Sequence, residues 1–249
     1  MTSPFRLPTG PAEHVERALC VLAHPDDVDF GSAGTVASWT AAGTEVTYCI
    51  VTDGDAGGFD PAVPRSEIPG IRRAEQVAAA AACGVTDVRF LGYKDGSLEP
   101  TQDLRRDISR VIRQVRPQRV LTTSPERFWD RIGASHPDHM TVGESTLRAV
   151  YPDARNPFAF PELLADEGLE AWTVSEVWLG ASPRTDHAVD VTDVVDRKWT
   201  ALGSHVSQVG HWPEGRMQEF VGGWMRQTAA RFDLPEGRLA EAFHVVHTA

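Results

Sequence analysis

The 249-residue sequence has few cysteines, no long apolar run and no basic tract, and each absence excludes a class of protein. Its three cysteines, Cys20, Cys49 and Cys83, stand in apolar stretches, which indicates buried thiols in a reducing compartment rather than a disulfide framework. The longest apolar runs cover residues 18–23 and 77–83. Both are far shorter than the roughly 20 residues that span a bilayer, so we expect no membrane segment.

Positive charge is also scarce: 24 Lys and Arg stand against 35 Asp and Glu, for a formal net charge of −11. A nucleic-acid-binding protein needs a basic surface to displace counterions from phosphates. The pairs Arg72-Arg73 and Arg105-Arg106 are isolated, and each is followed within a few residues by an acidic residue. Acidity also disfavours adsorption to anionic membranes. We therefore expect neither nucleic acid nor a membrane as a partner.

Length and composition suit one globular domain over residues 1–249, since hydrophobic residues make up 41% and no composition break divides the chain. The first residues, Met1 to Pro8, lack the apolar stretch of a secretory signal. Together with the reduced cysteines this predicts a cytoplasmic protein. The polar first 17 residues are expected to lie over the surface.

The first half of the sequence alternates strand and helix patterns. Strands are predicted at 18–23, 45–52, 87–91 and 119–123, and helices at 31–42, at 69–83 and from a cap at Asp103 to Pro117. This alternation is typical of a parallel sheet covered by helices, so we predict a Rossmann-like α/β fold. The second half is less regular and predicts smaller C-terminal additions: helices at 141–150 and 193–202, and strands at 173–179 and 242–246.

A cluster of polar residues, His24-Pro25-Asp26-Asp27, directly follows the first predicted strand. Ligands of open α/β sheets bind beyond the carboxyl ends of the strands. Imidazole and carboxylate suit zinc, which in catalytic sites takes a third protein ligand and keeps one position open. The aspartates are equally suited to capping the next helix, so this segment alone leaves both interpretations open.

A second cluster, Ser135-His136-Pro137-Asp138-His139, follows the fourth predicted strand. Its two histidines are three residues apart at the start of a predicted helix, so both can face one side. A lone pair of surface histidines is usually structural. Two His/Asp clusters, each just past a strand end of one sheet, favour a shared metal site, because the second supplies the ligand that the first lacks.

These motifs resemble those of the PIG-L/LmbE-like deacetylases, zinc-dependent enzymes that act on N-acetylglucosaminyl compounds. The similarity begins with Ala23-His24-Pro25-Asp26-Asp27 and His136-Pro137-Asp138-His139, and it continues over residues 18–246 in the family's order. It includes Val51-Thr52-Asp53-Gly54, Arg72-Arg73-Ala74-Glu75 and Leu91-Gly92-Tyr93-Lys94-Asp95-Gly96. One departure is Val28, where most relatives have Glu. Val28 is not an implied metal ligand, so it bears on substrate fit and not on the metal.

The resemblance implies a role for each matching residue. It makes His24, Asp27 and His139 the metal ligands, Asp26 the general base, and His136 the acid that assists the oxyanion or the leaving group. Zn²⁺ is the implied cofactor, although mixed nitrogen and oxygen ligands also suit another divalent metal such as Fe²⁺. Because base and acid need opposite protonation states, we expect a bell-shaped pH profile.

Other positions carry weaker expectations. Arg72 and Asp95 resemble the family's substrate contacts, and Trp129 is placed to stack on a sugar ring. For each of the three, a purely structural role is the competing interpretation. Asp53 either orients a ligand histidine through a hydrogen bond or caps a turn. His205 either reaches the site or is structural. Asp138 stands next to a predicted ligand, and its role is left open.

The predicted function is removal of an N-acetyl group from a small amino-sugar substrate. An alternative within hydrolysis is a zinc amidase acting on a thiol conjugate or another amide. A nucleotide-binding module would need a Gly-rich turn after the first strand, where two carboxylates stand instead. A catalytically silent relative is disfavoured because Asp26 and His136 are both present. The resemblance leaves a homo-oligomer open, since relatives often form one.

Overall fold

The structure, a computed structural model, describes residues 14–58 and 60–248, and within that part of the chain seven strands form one sheet. The strands are β1 (Arg17–Leu22), β2 (Glu45–Thr52), β3 (Asp87–Tyr93), β4 (Arg119–Thr123), β5 (Glu176–Gly180), β6 (His187–Asp190) and β7 (Ala240–His247). The predicted surface position of the first 17 residues falls largely outside the described residues. It is wrong for Val15, which is buried, and for Arg17, which begins β1.

Helices cover the sheet and connect its strands. They are α1 (Asp27–Gly31), α2 (Ala33–Ala41), α3 (Ile68–Ala82), α4 (Gln102–Val115), α5 (Pro137–Arg148), α6 (Pro161–Ala165), α7 (Val195–Gly203), α8 (Val206–Val209) and α9 (Arg216–Arg231). Short 3₁₀ segments lie at Trp129–Ala134 and Thr192–Val194. In the described residues, no helix is long and apolar enough to cross a membrane.

The strand order is β3-β2-β1-β4-β5-β7-β6. β1 pairs in parallel with both β2 and β4, and the two strands at the far edge, β7 and β6, are antiparallel. The chain leaves β1 in one direction towards β2 and β3, and later returns to the other side of β1 as β4. The order therefore reverses between β1 and β4, and a crevice opens at their carboxyl ends.

The core lies on both faces of the sheet because side chains alternate along each central strand. In β1, Cys20 and Leu22 join the apolar cluster on one face, and Leu19 and Val21 join the cluster on the other. The cysteines are all buried and unpaired, as the sequence predicts. The mostly parallel sheet flanked by helices confirms the predicted fold class.

Several element boundaries differ from prediction. The predicted helix 31–42 starts earlier, at Asp27, and is interrupted at Ser32 between α1 and α2. The cap of α4 is Thr101 and not Asp103: the Thr101 hydroxyl accepts a hydrogen bond from the Leu104 amide at 3.2 Å. Asp103 sits one residue inside the helix, where its side chain cannot cap the free amides.

The second half differs more. α5 begins at Pro137 because the histidine cluster itself forms its start, and β5 begins three residues later than predicted, at Glu176. Strand β6 and helix α9 were not predicted. The α9 sequence mixes apolar and polar residues with two glycines, so its pattern does not predict a helix. In the structure α9 packs against β7 and contributes Val221 and Met225 to a small apolar cluster.

Two helical glycines make a matched test of how closely α5 packs against β4. A Cβ at Gly143 in α5 would collide with the carbonyl oxygen of Thr123, whereas a Cβ at Gly223 in α9 meets nothing within 4 Å. We expect Gly143→Ala to lower the free energy of unfolding by roughly 1–3 kcal/mol through overpacking. Gly223→Ala should raise it by about 0.5–1 kcal/mol through helix propensity. Urea denaturation measures both, and equal midpoints would contradict the close approach of α5 to β4.

Candidate metal centre and its two cavities

The two His/Asp clusters meet because the strands that precede them are neighbours. His24 to Asp27 follow β1, and Ser135 to His139 lead into α5 after β4. β1 and β4 are paired in parallel register, Ala18 beside Arg119. Their carboxyl ends therefore lie side by side at the crevice, and side chains more than 100 residues apart in sequence come into contact.

Donor atoms of three residues from the two clusters form a compact triangle, to which Asp27 contributes both carboxylate oxygens. His24 Nδ1 lies 3.1 Å from His139 Nε2 and 3.4 Å from Asp27 Oδ2, and His139 Nε2 lies 3.0 Å from Asp27 Oδ1. In a tetrahedral zinc site with bonds of roughly 2.0–2.1 Å, ligand atoms stand about 3.3 Å apart. Both the separations and the two-imidazole, one-carboxylate donor set fit zinc.

The second ring nitrogen of His24 faces two further carboxylates. Nε2 lies 3.0 Å from Asp95 Oδ1 and 3.2 Å from Asp138 Oδ2. Asp138 is itself held by the amides of Gly96, at 2.7 Å, and Leu98, at 3.3 Å. Carboxylates in this position orient a ligand histidine and increase its basicity. The structure thus places Asp138 and Asp95 against the Nε2 side of His24, away from the contacts that Nδ1 makes with His139 and Asp27.

The field of these carboxylates favours positive charge. Burial disfavours a charged His24 ring, but Asp27, Asp138 and Asp95 outweigh it and raise the pKa of His24 to about 12. Burial likewise opposes ionisation of Asp27, yet His139 and His24 keep its pKa well below the usual range. A site that holds a proton this firmly also favours a metal cation in its place.

Two other donor groups share His24. Ligand atoms of His24, His136 and His139, and of His24, Asp95 and Asp138, lie within 4.8 Å of one another. Neither has an advantage over the triangle, whose atom pairs lie at 3.0–3.4 Å. In addition, Nδ1 of His136 already accepts a hydrogen bond from the backbone amide of Asp138.

Asp26 lies beside the triangle in an unusual backbone conformation. Its φ of 95° is in the left-handed region that non-glycine residues rarely adopt. Gln76 Oε1 accepts a hydrogen bond from its amide at 2.8 Å, and Arg72 Nη2 donates to its carboxylate at 3.1 Å. Burial raises the pKa of Asp26 to about 6, against the opposing charge of Arg72. Residues held in this way are often functional.

Arg72 is buried beside the site and does not lie on a solvated face. Besides Asp26, its guanidinium donates to the carbonyls of Pro25, at 2.5 Å, and Gly54, at 3.0 Å. A Cβ at Gly54 or Gly57 would collide with it, so those glycines make the room that it needs. Arg72 still lines the small cavity at the site, but most of its hydrogen-bonding capacity is spent within the protein.

His136 caps the start of α5. Its Nδ1 accepts a hydrogen bond from the Asp138 amide at 3.2 Å, so a neutral ring carries its proton on Nε2. Burial and the neighbouring charges of His24 and His139 lower the pKa of His136. The geometry therefore favours a neutral donor over the protonated ring that general-acid catalysis alone would suggest.

A buried network of hydrogen bonds holds Gln76, the residue that binds the Asp26 amide. Asp29 Oδ2 accepts hydrogen bonds from Gln76 Nε2 at 2.9 Å and pairs with His205 Nε2 at 2.8 Å. His205 is fully buried. A chain of hydrogen bonds connects it to Asp26 by way of Asp29 and Gln76. Sequence reasoning missed Gln76, although a signal existed: Arg72 and Gln76 are polar residues four apart on the buried face of an Ala-rich helix.

Two residues considered for the site lie apart from it. Asp53 accepts from Arg73 Nε and Nη2 at 2.8 and 2.7 Å, so its carboxylate serves an ion pair and not a ligand histidine. Trp129 is 78% exposed, lies beside the Arg127 guanidinium and lines neither cavity of the site. A sequence cannot reveal these positions, because both depend on how loops fold back on the sheet.

Two cavities border the triangle. The polar cavity, of about 280 Å³, is lined by His24, Asp26, Ala56, Gly57, Arg72, Asp95, Gly96, His136 and His139. The larger cavity, of about 570 Å³, is lined by Asp27 and shares His139 with the polar cavity. Its walls include Phe30 and Leu121 and, on α9, Val221, Trp224 and Met225.

Comparison with known proteins extends the motif resemblance to most of the chain. The PIG-L family model, described as GlcNAc-PI de-N-acetylase, matches residues 19–150. The diacetylchitobiose deacetylase of Thermococcus kodakarensis is 32% identical over 198 residues, covering 80% of this chain and 72% of its own. The 1D-myo-inositol 2-acetamido-2-deoxy-alpha-D-glucopyranoside deacetylase of Actinosynnema mirum is 31% identical, covering 80% and 83%.

A solved structure is similar over nearly the full length. The N,N'-diacetylchitobiose deacetylase from Pyrococcus horikoshii has a TM-score of 0.84 and 27% identity, covering 94% of this chain and 84% of its own.

The buried network can be tested through stability. Asp29→Ala leaves His205 and the Gln76 amide without their buried partner, so the free energy of unfolding should fall by about 3–5 kcal/mol. The control is Asp103→Ala, which removes the exposed partner of Arg106 and should cost less than about 1 kcal/mol. Both are measured by urea denaturation. A loss for Asp29→Ala no greater than for the control would show that the network carries little stability.

Proposed function

Since this chain belongs to the PIG-L family, we propose that it is a metal-dependent hydrolase removing the N-acetyl group from a small amino sugar of the N-acetylglucosamine type. The family predicted from the motifs is confirmed by the family model and the curated relatives. The relatives carry names of deacetylases acting on diacetylchitobiose and on inositol-linked or malate-linked N-acetylglucosamine. We also propose that the whole chain acts as one domain.

One observation carries the proposal: the donor atoms of His24, Asp27 and His139 converge within 3.0–3.4 Å, with the carboxylate of Asp26 beside them. We propose these three residues as the metal ligands. The chemistry that zinc supplies when bound is Lewis-acid polarisation of oxygen, which makes water a nucleophile near neutral pH.

The residues of the chain supply the proton transfers. Asp26, held by Gln76 and Arg72, takes a proton from the attacking water. His136, with its Nε2 proton, donates to the oxygen on which negative charge develops. The amine then leaves with the proton that Asp26 took from the water. Acetate and a free amino sugar are the products.

The polar cavity supports a sugar as the amine component. Arg72, Asp95 and the backbone of Gly57 and Gly96 line it, and such groups pair well with hydroxyls. Asp95 also contacts His24, so we propose that it positions the ligand and binds substrate at once. The exposed position of Trp129 does not support its proposed stacking role.

The ligand assignment is tested by metal content. His139→Ala and Asp27→Ala each remove one donor and should lose bound zinc, measured by elemental analysis after dialysis against a zinc buffer. His136→Ala is the matched control and should keep zinc, because its ring is outside the triangle. Zinc lost in His136→Ala as well as in His139→Ala would support the group of His24, His136 and His139. Zinc retained in both His139→Ala and Asp27→Ala would move the site to His24, Asp95 and Asp138.

The activity is tested with zinc-loaded protein on diacetylchitobiose and on inositol-linked and malate-linked N-acetylglucosamine, with released acetate as the readout. N-acylated thiol conjugates form a separate arm, and turnover confined to that arm would favour the amidase alternative. Asp26→Asn should keep zinc and lose at least about 10²-fold in kcat/KM. Asp53→Asn, which alters only the Arg73 pair, should remain near wild type. Full activity in Asp26→Asn would remove Asp26 as the base.

A further inference from the structure

The two cavities meet at the metal centre, and their linings differ in chemistry. His139 lines both cavities, Asp27 lines the larger one, and His24 lines the polar one. A carbonyl group held at the triangle therefore has one substituent directed into each cavity. An amide has two such substituents, the acyl chain on carbon and the amine component on nitrogen.

The proton-transfer groups decide which substituent lies on which side. Asp26 and His136 line the polar cavity, and neither lines the larger one. When the C–N bond breaks, the leaving nitrogen must take a proton from one of them. The amine component therefore lies in the polar cavity, and the acyl chain extends into the larger one.

The larger cavity far exceeds what an acetyl group needs. Its volume is about 570 Å³, whereas a methyl group takes up about as much space as a water molecule, roughly 30 Å³. Phe30, Leu121, Val221 and Met225 form the apolar part of its lining, beside polar groups that include Thr228, Arg231 and Glu241. Arg131 is part of the wall too, with its guanidinium on the Trp224 face, 3.9 Å from the ring centroid. The apolar part of the lining suits a hydrocarbon chain.

We propose that the larger cavity is an acyl-chain site and that the enzyme hydrolyses N-acyl amino sugars whose chains are longer than acetyl. This inference rests on the proposed function and extends it to a further substrate class. In the reaction the amide C–N bond breaks and the water oxygen bonds to the acyl carbon. One water proton passes to the nitrogen, and the products are a fatty carboxylic acid and the free amino sugar.

The test uses zinc-loaded wild-type protein and glucosamine carrying N-acetyl, N-butyryl, N-hexanoyl or N-octanoyl groups, with free amine as the readout. If the chain enters the cavity, KM should fall by up to about fourfold for each added methylene, and octanoyl turnover should persist. A kcat/KM that falls more than tenfold from acetyl to octanoyl would overturn the inference.

Variants in the cavity wall identify where the chain lies. Thr228→Phe on α9 and Ala134→Phe on the facing 3₁₀ segment both reduce the cavity, and each should lower the octanoyl-to-acetyl ratio of kcat/KM at least tenfold. Two walls are used so that a folding failure in one variant leaves the other. The control is Ala230→Phe, which adds the same side chain at an exposed position of α9 and should leave the ratio unchanged.

The outcomes separate this inference from the proposed function. Hydrolysis of the acetyl compound alone overturns the acyl-chain site and leaves the deacetylase intact. Hydrolysis of the longer compounds supports the site. If the wall variants instead impair diacetylchitobiose relative to N-acetylglucosamine, the cavity binds a sugar and the inference is wrong. If no compound is hydrolysed, the proposed function fails and the inference with it.

Discussion

The contact between His24 and His139, 3.1 Å apart at the carboxyl ends of β1 and β4, is the constraint on which the rest of the site depends. It exists because the strand order reverses between those two strands, which brings the residues after both to one crevice. The sheet is buried on both faces, so neither strand can slip in register without exposing its apolar side chains. The rigid core thus sets the distance between His24, after β1, and His139, in α5.

Charge balance explains why so many carboxylates gather there. Asp27, Asp95 and Asp138 surround one imidazole, and such a group of anions is unfavourable in a buried place unless a cation neutralises it. The Arg72 guanidinium neutralises the charge of Asp26 through a hydrogen-bonded ion pair. The polar interior is therefore organised around positive charge, and this organisation is what suits the site to a metal.

The fold also separates two environments within a few ångströms. On one side of the triangle the loops after β2 and β3 provide polar groups and backbone amides. On the other side, α9 provides an apolar wall that covers the sheet near β7. A site with this asymmetry suits a ligand that has one polar and one apolar substituent, and such a ligand would be oriented before any chemistry takes place.

The sequence by itself determined what depends on neighbouring residues: the alternation of strands and helices, the buried thiols, and two short His/Asp motifs that identify the family. Contiguous motifs and periodic patterns are readable because their geometry is local. Only the tertiary structure decided that Asp53 pairs with Arg73, that Trp129 stands exposed, and that Gln76 and Asp29 support Asp26. These contacts join segments that lie far apart in the chain, and their partners are selected by packing, which no local pattern records.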